Sequence, residues 1–428
     1  MMGRPVRGVA ALLAEQAAAS DIASRRNLLP VMAAVRGYGD GMGGEVAPFR
    51  VGVGEDALDD LRQRLAHARW PEPATVAGWS QGVPLDWLRD LCGYWQSGYD
   101  WRRLEDRLNG LPQFTTELDG LDIHFMHLRS PHPDALPLIV THGWPGSVVE
   151  FLDVVEPLVD PVAHGGEARD AFHVVCPSLP GFGFSAKPAE SGWGPARIAR
   201  AWATLMTRLG YERFGAQGGD WGAIVTTTLA AQRPERLVGI HLNMLPVADR
   251  DQLATADLTD FERQSLADAT DHREWGSGYA LEQATRPQTV GYGLADSPVG
   301  QCAWIAEKYW AWTDHDGDPL DALSRDQMLD NISVYWHTAT AASSARIYWE
   351  DGFARPSGRG TRQSEPLAVP VGFSAFPREI FRPSRRWCQR YYPNLRSYEQ
   401  PPRGGHFAAF EQPELFVDQV RRAFRTMR

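Results

Sequence analysis

The hydrophobic positions along this chain change period several times, and the changes divide it. Phe49–Trp70 opens as a strand and continues as an amphipathic helix. Leu58, Leu61, Leu65 and Ala68 recur there at helical spacing, and Pro71 ends it. Leu85–Leu111, rich in Trp and Leu, predicts two further helices. Phe114–Leu118 and Leu121–His127 alternate across Asp119-Gly120, a hairpin pattern. Leu136–Thr141 and Ala171–Cys176 are short continuous apolar runs, as parallel strands buried on both faces require. Ala196–Leu209 reads as a helix, the segment before Asp220 as a strand, and Val238–Leu242 as another. Strands alternating with helices predict an α/β fold with a doubly wound, mostly parallel sheet.

From about Leu245 the strand rhythm stops, and a mostly helical stretch with many Trp and Tyr follows. A polar excursion at Arg355–Glu365 precedes the next strand, Leu367–Phe373, and Pro413–Thr426 closes the chain as an amphipathic helix. A helical insertion between two halves of one sheet is the pattern of a lid over a pocket. The expected division is a loose extension over 1–45, a helical meander over 46–113, core over 114–245, a cap or lid over 246–350, and core again over 351–428.

Composition narrows the function. The formal net charge is −10 with no basic block, which argues against a nucleic-acid partner. Cys92, Cys176, Cys302 and Cys388 are scattered, fit no zinc spacing, and are expected to stay reduced in a cytoplasm. Lysine occurs only at Lys187 and Lys308; the skew to arginine suggests a GC-rich genome. No apolar run reaches membrane-span length, and the Ala-rich front is broken by Arg4, Arg7, Glu15 and Arg36, so no signal peptide is expected.

Gly218-Gly219-Asp220-Trp221-Gly222 carries the chemistry. The string has the form of a nucleophile elbow, a sharp strand-to-helix turn that needs small neighbours, but its centre is a carboxylate where an esterase has serine. An aspartate there attacks a saturated carbon and forms an alkyl ester. In folds of this plan the acid and then the histidine follow the nucleophile along the chain. Glu379 follows the strand Leu367–Phe373, and His406 lies in Arg403-Gly404-Gly405-His406-Phe407 just before the last helix. Asp351 is the alternative acid.

These strings together resemble the microsomal-type epoxide hydrolases, including the juvenile-hormone enzymes and related fungal and bacterial proteins. The resemblance rests on His142-Gly143-Trp144-Pro145-Gly146-Ser147, Gly218–Gly222, Gly372–Pro377 with Glu379, Arg403–Phe410, the cap string Asp296–Gly300 and the front segment ending Arg69-Trp70-Pro71. It covers about Phe49 to the C-terminus. It implies an α/β-hydrolase fold with Asp220 as nucleophile, His406 as base and Glu379 orienting it. It also implies an oxyanion hole from the backbone N–H groups of Trp144 and Trp221. Two lid tyrosines, Tyr279 and Tyr348, would hold the oxirane oxygen, with Tyr335 in reserve. The implied reaction adds water to an epoxide, giving a vicinal diol without metal or organic cofactor. The animal enzymes' membrane anchor has no counterpart here, so a soluble bacterial member is expected. Relatives in enediyne-type biosynthesis make an aryl epoxide one candidate substrate, beside general detoxification. The oligomeric state stays open, a homodimer included.

Two rival readings stand beside this one. A haloalkane dehalogenase uses the same aspartyl ester and holds halide with indole N–H groups, for which Trp221 is a candidate. A catalytically silent scaffold would bind a hydrophobic ligand. Three other motifs carry blander expectations. His142 braces the oxyanion turn. His124 and His127 sit on the surface of the hairpin without forming a metal site. Gly181-Phe182-Gly183-Phe184-Ser185 lacks the third glycine of a nucleotide loop and reads as a pocket edge.

Overall fold

The computed structural model describes residues 44–245, 256–352 and 365–428. The expected extension over 1–45, except its last two residues, the opening of the cap and nearly all of the polar excursion at Arg355–Glu365 lie outside the described residues. Among the described residues, nine strands form one sheet in the order β1-β2-β3-β5-β4-β6-β7-β8-β9. Short β1 (Ala47–Pro48) pairs antiparallel with β2 (Gln113–Leu118), which forms the expected hairpin with β3 (Leu121–Leu128). Asp119 and Gly120 both have positive φ, the geometry that a tight hairpin turn demands. From β5 onward the strands are parallel: β5 (Phe172–Pro177), β4 (Leu136–Thr141), β6 (Phe214–Gly218), β7 (Leu237–Leu242), β8 (Val371–Ser374) and β9 (Leu395–Glu399).

The front meander is α1 (Glu55–Ala66), α2 (Leu85–Ser97) and α3 (Trp101–Asn109), burying Leu58, Leu61, Leu65, Leu88, Leu91, Trp95, Leu104 and Leu108. Ala68 falls beyond the first of these, because His67 already caps it by donating its N–H to Gln63 O. After a short α4 (Val155–Val159), α5 (Pro195–Arg208) packs on α6 (Asp220–Gln232), which lies against β4, β6 and β7. The described cap comprises α7 (Asp260–Asp271), α8 (Gly278–Thr285), α9 (Pro287–Asp296), α10 (Pro298–Trp312), α11 (Arg325–His337) and α12 (Ala341–Asp351). The chain returns to the sheet through β8, then α13 (Arg385–Tyr391), β9, α14 (Ala408–Glu411) and α15 (Pro413–Arg425).

Two expectations need correction. The eighth strand starts at Val371, not Leu367. Pro366 and Pro370 bring no N–H to a ladder, and Leu367 N–H bonds instead to Tyr391 O. His124 and His127 are buried rather than on the surface, because β3 sits between two strands and is buried at every residue except Asp122. His124 is bonded to Ser178 Oγ and Gln113 Oε1, and His127 to Tyr211 OH, each at 2.9 Å. Burial pushes both rings down to about 3, so both are neutral braces.

Candidate active site

The parallel strands end at one rim, where three loops meet. Asp220 stands at the turn from β6 into α6 with φ of 47°, a left-handed conformation that few non-glycine residues adopt. The turn is tight on every side. A Cβ on Gly218 would lie 2.1 Å from Gly222 O, one on Gly222 would lie 1.9 Å from Thr141 O, and one on Gly143 would lie 2.2 Å from Asp220 Oδ1. Glycine at these positions lets the carboxylate reach the backbone of the loop after β4.

That loop, His142–Ser147, presents Trp144 N–H to Asp220 Oδ1 at 2.8 Å. Its Trp144–Pro145 peptide is cis. His142 holds the loop from beneath: Nδ1 pairs with Gly143 O at 2.9 Å, and Nε2 accepts from Leu179 N–H at 3.1 Å. From the cap side, Asn331 Nδ2 donates to Pro145 O at 2.7 Å and Tyr335 OH donates to Gly146 O at 2.9 Å. Tyr335 is therefore spoken for as a brace. The Trp221 N–H belongs to the first turn of α6, where amides have no acceptor within the helix.

The other Asp220 oxygen, Oδ2, faces His406 Nε2 at 3.4 Å, and His406 Nδ1 meets Glu379 Oε1 at 2.7 Å. Both His406 and Glu379 are buried. Burial alone would lower the imidazole pKa. The Glu379 and Asp220 carboxylates overcome that and hold it well above its ordinary value. The structure thus brings Asp220, His406 and Glu379 into one line, an ion pair at the Asp220 end and a hydrogen bond at the Glu379 end, while Asp351, the alternative acid, closes α12.

Tyr279, in the first turn of α8, stacks on the Trp144 indole with centroids 5.0 Å apart and planes 11° apart. Tyr348, from α12, meets Trp221 edge-on at 4.7 Å and Tyr279 at 5.8 Å. Tyr348 is buried, and this burial, reinforced by Tyr279 and Asp220, pushes its phenol well above the ordinary value. Trp312 closes the group, 5.3 Å from Tyr279 and 5.0 Å from the His406 ring. The Gly181–Ser185 loop does edge the cap: Ser343 Oγ from α12 donates to Gly181 O at 2.6 Å.

Beside Asp220 and His406 lies a cavity with about 20 Å³ of water-accessible space, also lined by Glu150, Gly146, Gln217 and Asn243. That is room for about one or two water molecules. Glu150 escaped the reading of the sequence. It sits deep in the molecule yet opens part of its surface to the cavity, and a Cβ on Gly146 would overlap its Oε1 at 1.4 Å. Burial chiefly, and Asp220 in addition, raises its carboxyl to about 8, while the nearby His406 opposes the shift. Glu411 escaped as well. It accepts N–H bonds from Asp314 (2.8 Å), Gly405 (3.0 Å) and Phe407 (3.0 Å), which ties the His406 loop to the end of α10. A glutamate in an apolar helix gives no local sign of such partners; only the fold supplies them. Among the described residues, no group of three or more His, Cys, Asp or Glu side chains is placed to hold a metal ion.

Comparison with known proteins gives the family. Residues 46–151 match the family described as epoxide hydrolase N terminus, and residues 137–301 match the alpha/beta hydrolase fold. A putative epoxide hydrolase of Stigmatella aurantiaca is 57% identical over 383 residues, covering 90% of this chain and 86% of that protein. Epoxide hydrolase 1 of Oryctolagus cuniculus is 37% identical, with 88% of each covered. The structure of Aspergillus niger epoxide hydrolase superposes with a TM-score of 0.80 at 32% identity, covering 90% of this chain and 97% of that one.

Proposed function

The chain belongs to the epoxide hydrolases and converts an epoxide with water to a diol, and from that membership we propose how its residues divide the work. Asp220 Oδ2 attacks an oxirane carbon. The electron pair of the breaking C–O bond goes to oxygen, which takes its proton from the tyrosine pair. Oδ1, already on the Trp144 N–H, becomes the ester carbonyl. The Trp221 N–H is the second donor for the oxyanion that forms when water adds to that carbonyl.

The Asp220–His406–Glu379 line carries this reading. In the resting site two carboxylates hold His406 as a cation. Esterification removes the Asp220 charge and with it part of that support, and the imidazolium gives its proton to the phenolate that ring opening left behind. The neutral ring is then the base that draws a proton from a water in the adjoining cavity. That proton returns to the departing alkoxide, and the second water proton, released as the Asp220 carboxylate re-forms, restores the imidazolium. The Tyr348 phenol, held above its ordinary value, stays protonated until an alkoxide appears, which suits it to a place in the pair.

One turnover of styrene oxide in ¹⁸O-water, with enzyme in excess, tests the ester. Label should enter the Asp220 carboxylate while the first diol carries none from solvent. Label found directly in that diol would remove the covalent step.

The walls beside the tyrosines are the faces and edges of Trp144, Trp221 and Trp312, and they favour an aryl-substituted epoxide. Such a substrate suits an enzyme of secondary metabolism. A higher kcat/KM for styrene oxide than for 1,2-epoxyhexane is expected, and the reverse order would sink this preference. Trp221 gives no support to a halide site, because its indole is packed against Tyr348. No described helix is long and apolar enough to cross a membrane. We propose a cytoplasmic enzyme that works as a homodimer, and sedimentation of the purified protein would check the assembly.

A further inference from the structure

Lysine is scarce in this chain: Lys187 and Lys308 are the only two among 43 Lys and Arg residues. Lys308 lies on α10, one helical turn before Trp312, and its side chain is 4% exposed. Its Nζ stands 4.1 Å from the centroid of the Tyr279 ring and 5.5 Å from that of Trp312. Its ionic partner is the adjacent Glu307, whose side chain is 28% exposed and so more screened by solvent than the ammonium it meets. A buried cation is costly, and an apolar residue at this helical position would be the simpler way to fill the space. What the ammonium gains is the π face of a phenol that belongs to the reaction centre.

We propose that Lys308 is an electrostatic positioning residue that makes Tyr279, rather than Tyr348, the acid of the pair. The inference rests on the epoxide reading of the tyrosines. Ring opening moves one negative charge from Asp220 to the oxirane oxygen and, as the proton crosses, onto a phenol oxygen. A cation on the face of that phenol's ring stabilises the charge where it arrives and interacts more weakly with the neutral ring beforehand. Among the described residues no cation stands on the Tyr348 ring, which is enclosed by Trp144, Trp221 and Tyr279. Tyr348 then holds the oxygen by a hydrogen bond while Tyr279 gives up its proton. Both bonds of the step balance: the O–H pair stays on Tyr279 as phenolate, and the proton forms the new O–H on the former oxirane oxygen. A small point charge centred over one ring is a task for an ammonium rather than a spread guanidinium. This gives the position a reason to be lysine in a chain that otherwise uses arginine.

The test is a double-mutant cycle read by stopped-flow alkylation with styrene oxide. Tryptophan emission reports it, since Trp144 and Trp221 flank Asp220. Lys308→Met, close in shape and uncharged, should slow alkylation about tenfold to thirtyfold, the range of a desolvated cation–π contact. It should leave hydrolysis of the alkyl-enzyme nearly unchanged. The same loss is expected in the Tyr348→Phe background and none in the Tyr279→Phe background. Lys308→Arg should recover part of the rate, because it restores the charge, whereas a purely packing role would give no recovery. An equal loss in all three backgrounds, or no loss in the otherwise unchanged enzyme, overturns the proposal. If Tyr279→Phe alone leaves alkylation untouched, the tyrosine assignment itself fails, and the two failures are thereby told apart.

Discussion

Glu150 shows how one side chain acquires a property that its neighbours in sequence do not announce. Set in Val148-Val149-Glu150-Phe151, it looks like a polar residue on a short helix. The fold places it against Gly146 and beside Asp220 and His406, and its carboxyl rises to about 8. In the unfolded chain it would titrate near the ordinary glutamate value of about 4.3. The folded form therefore binds the extra proton between those two values. Its contribution to stability is complete below the lower one and is lost as pH rises toward about 8, at up to about 1.4 kcal/mol per pH unit. Glu150→Gln keeps the shape without the titration. Between about pH 6.5 and 8, above the titration of the unfolded histidines, the melting temperature of this variant should decline less than that of the parent, and an unchanged slope would refute the shift. Asp220 was legible because an elbow has a required glycine pattern, and His406 and Glu379 were candidates by order along the chain, with Asp351 a second candidate acid until the fold set Glu379 against His406. Lys308 was visible as an oddity of composition, but the ring it faces was not.

At the scale of elements, the cap and the core are stitched together at the His406 loop. His406 N–H donates to Trp312 O at 2.8 Å, Gly404 N–H donates to Asp314 Oδ2 at 2.8 Å, and Glu411 spans Asp314, Gly405 and Phe407. The catalytic ring and the cap helix that carries Lys308 and Trp312 are thus held in one frame. Glu411→Ala would leave three amides without their acceptor, each at about 1–3 kcal/mol. A lower Tm and at least a tenfold fall in kcat are expected, with Glu411→Gln intermediate, since an amide oxygen can keep some of the three bonds. A kcat unaffected by the alanine change would show that the frame is not needed. The strands and the front helices follow closely from apolar period, because a buried parallel strand has no polar position to confuse the pattern. The eighth strand was read too long, since Val369 and Val371 carry strand propensity across Pro370, where the ladder has no donor.

Across the whole molecule, five histidines outside the catalytic line are stored in neutral form. Burial first of all pushes His124, His127 and His241 down to about 3 and His142 and His337 to about 4. Unfolded, each would titrate near 6.5. Each contributes stability that is complete above that value and is lost as pH falls through the folded one. Glu150, Glu411, Asp330 and His406, all shifted upward, act in the opposite sense, but over fewer groups. The protein should therefore unfold steeply with acid, losing cooperativity and Tm between about pH 6 and 4. A His127→Gln variant should show a shallower acid limb in pH-dependent melts. An acid limb unchanged by this substitution would place the sensitivity elsewhere.

The cavity beside Asp220 also bears on which nucleophile ends a turnover. Its walls leave space for about one or two waters. An alcohol that reached the Asp220 ester carbonyl in place of water would release the diol but leave a second alkyl ester on the nucleophile, which the same base and oxyanion donors would have to hydrolyse before another epoxide could react. A chamber sized for water keeps that detour rare. Steady-state turnover in dilute methanol should then leave kcat nearly intact, with little Asp220 methyl ester found by mass spectrometry. Enlarging the chamber with Glu150→Ala should make kcat fall as methanol is added, and equal methanol sensitivity of both forms would show that something other than chamber size selects water.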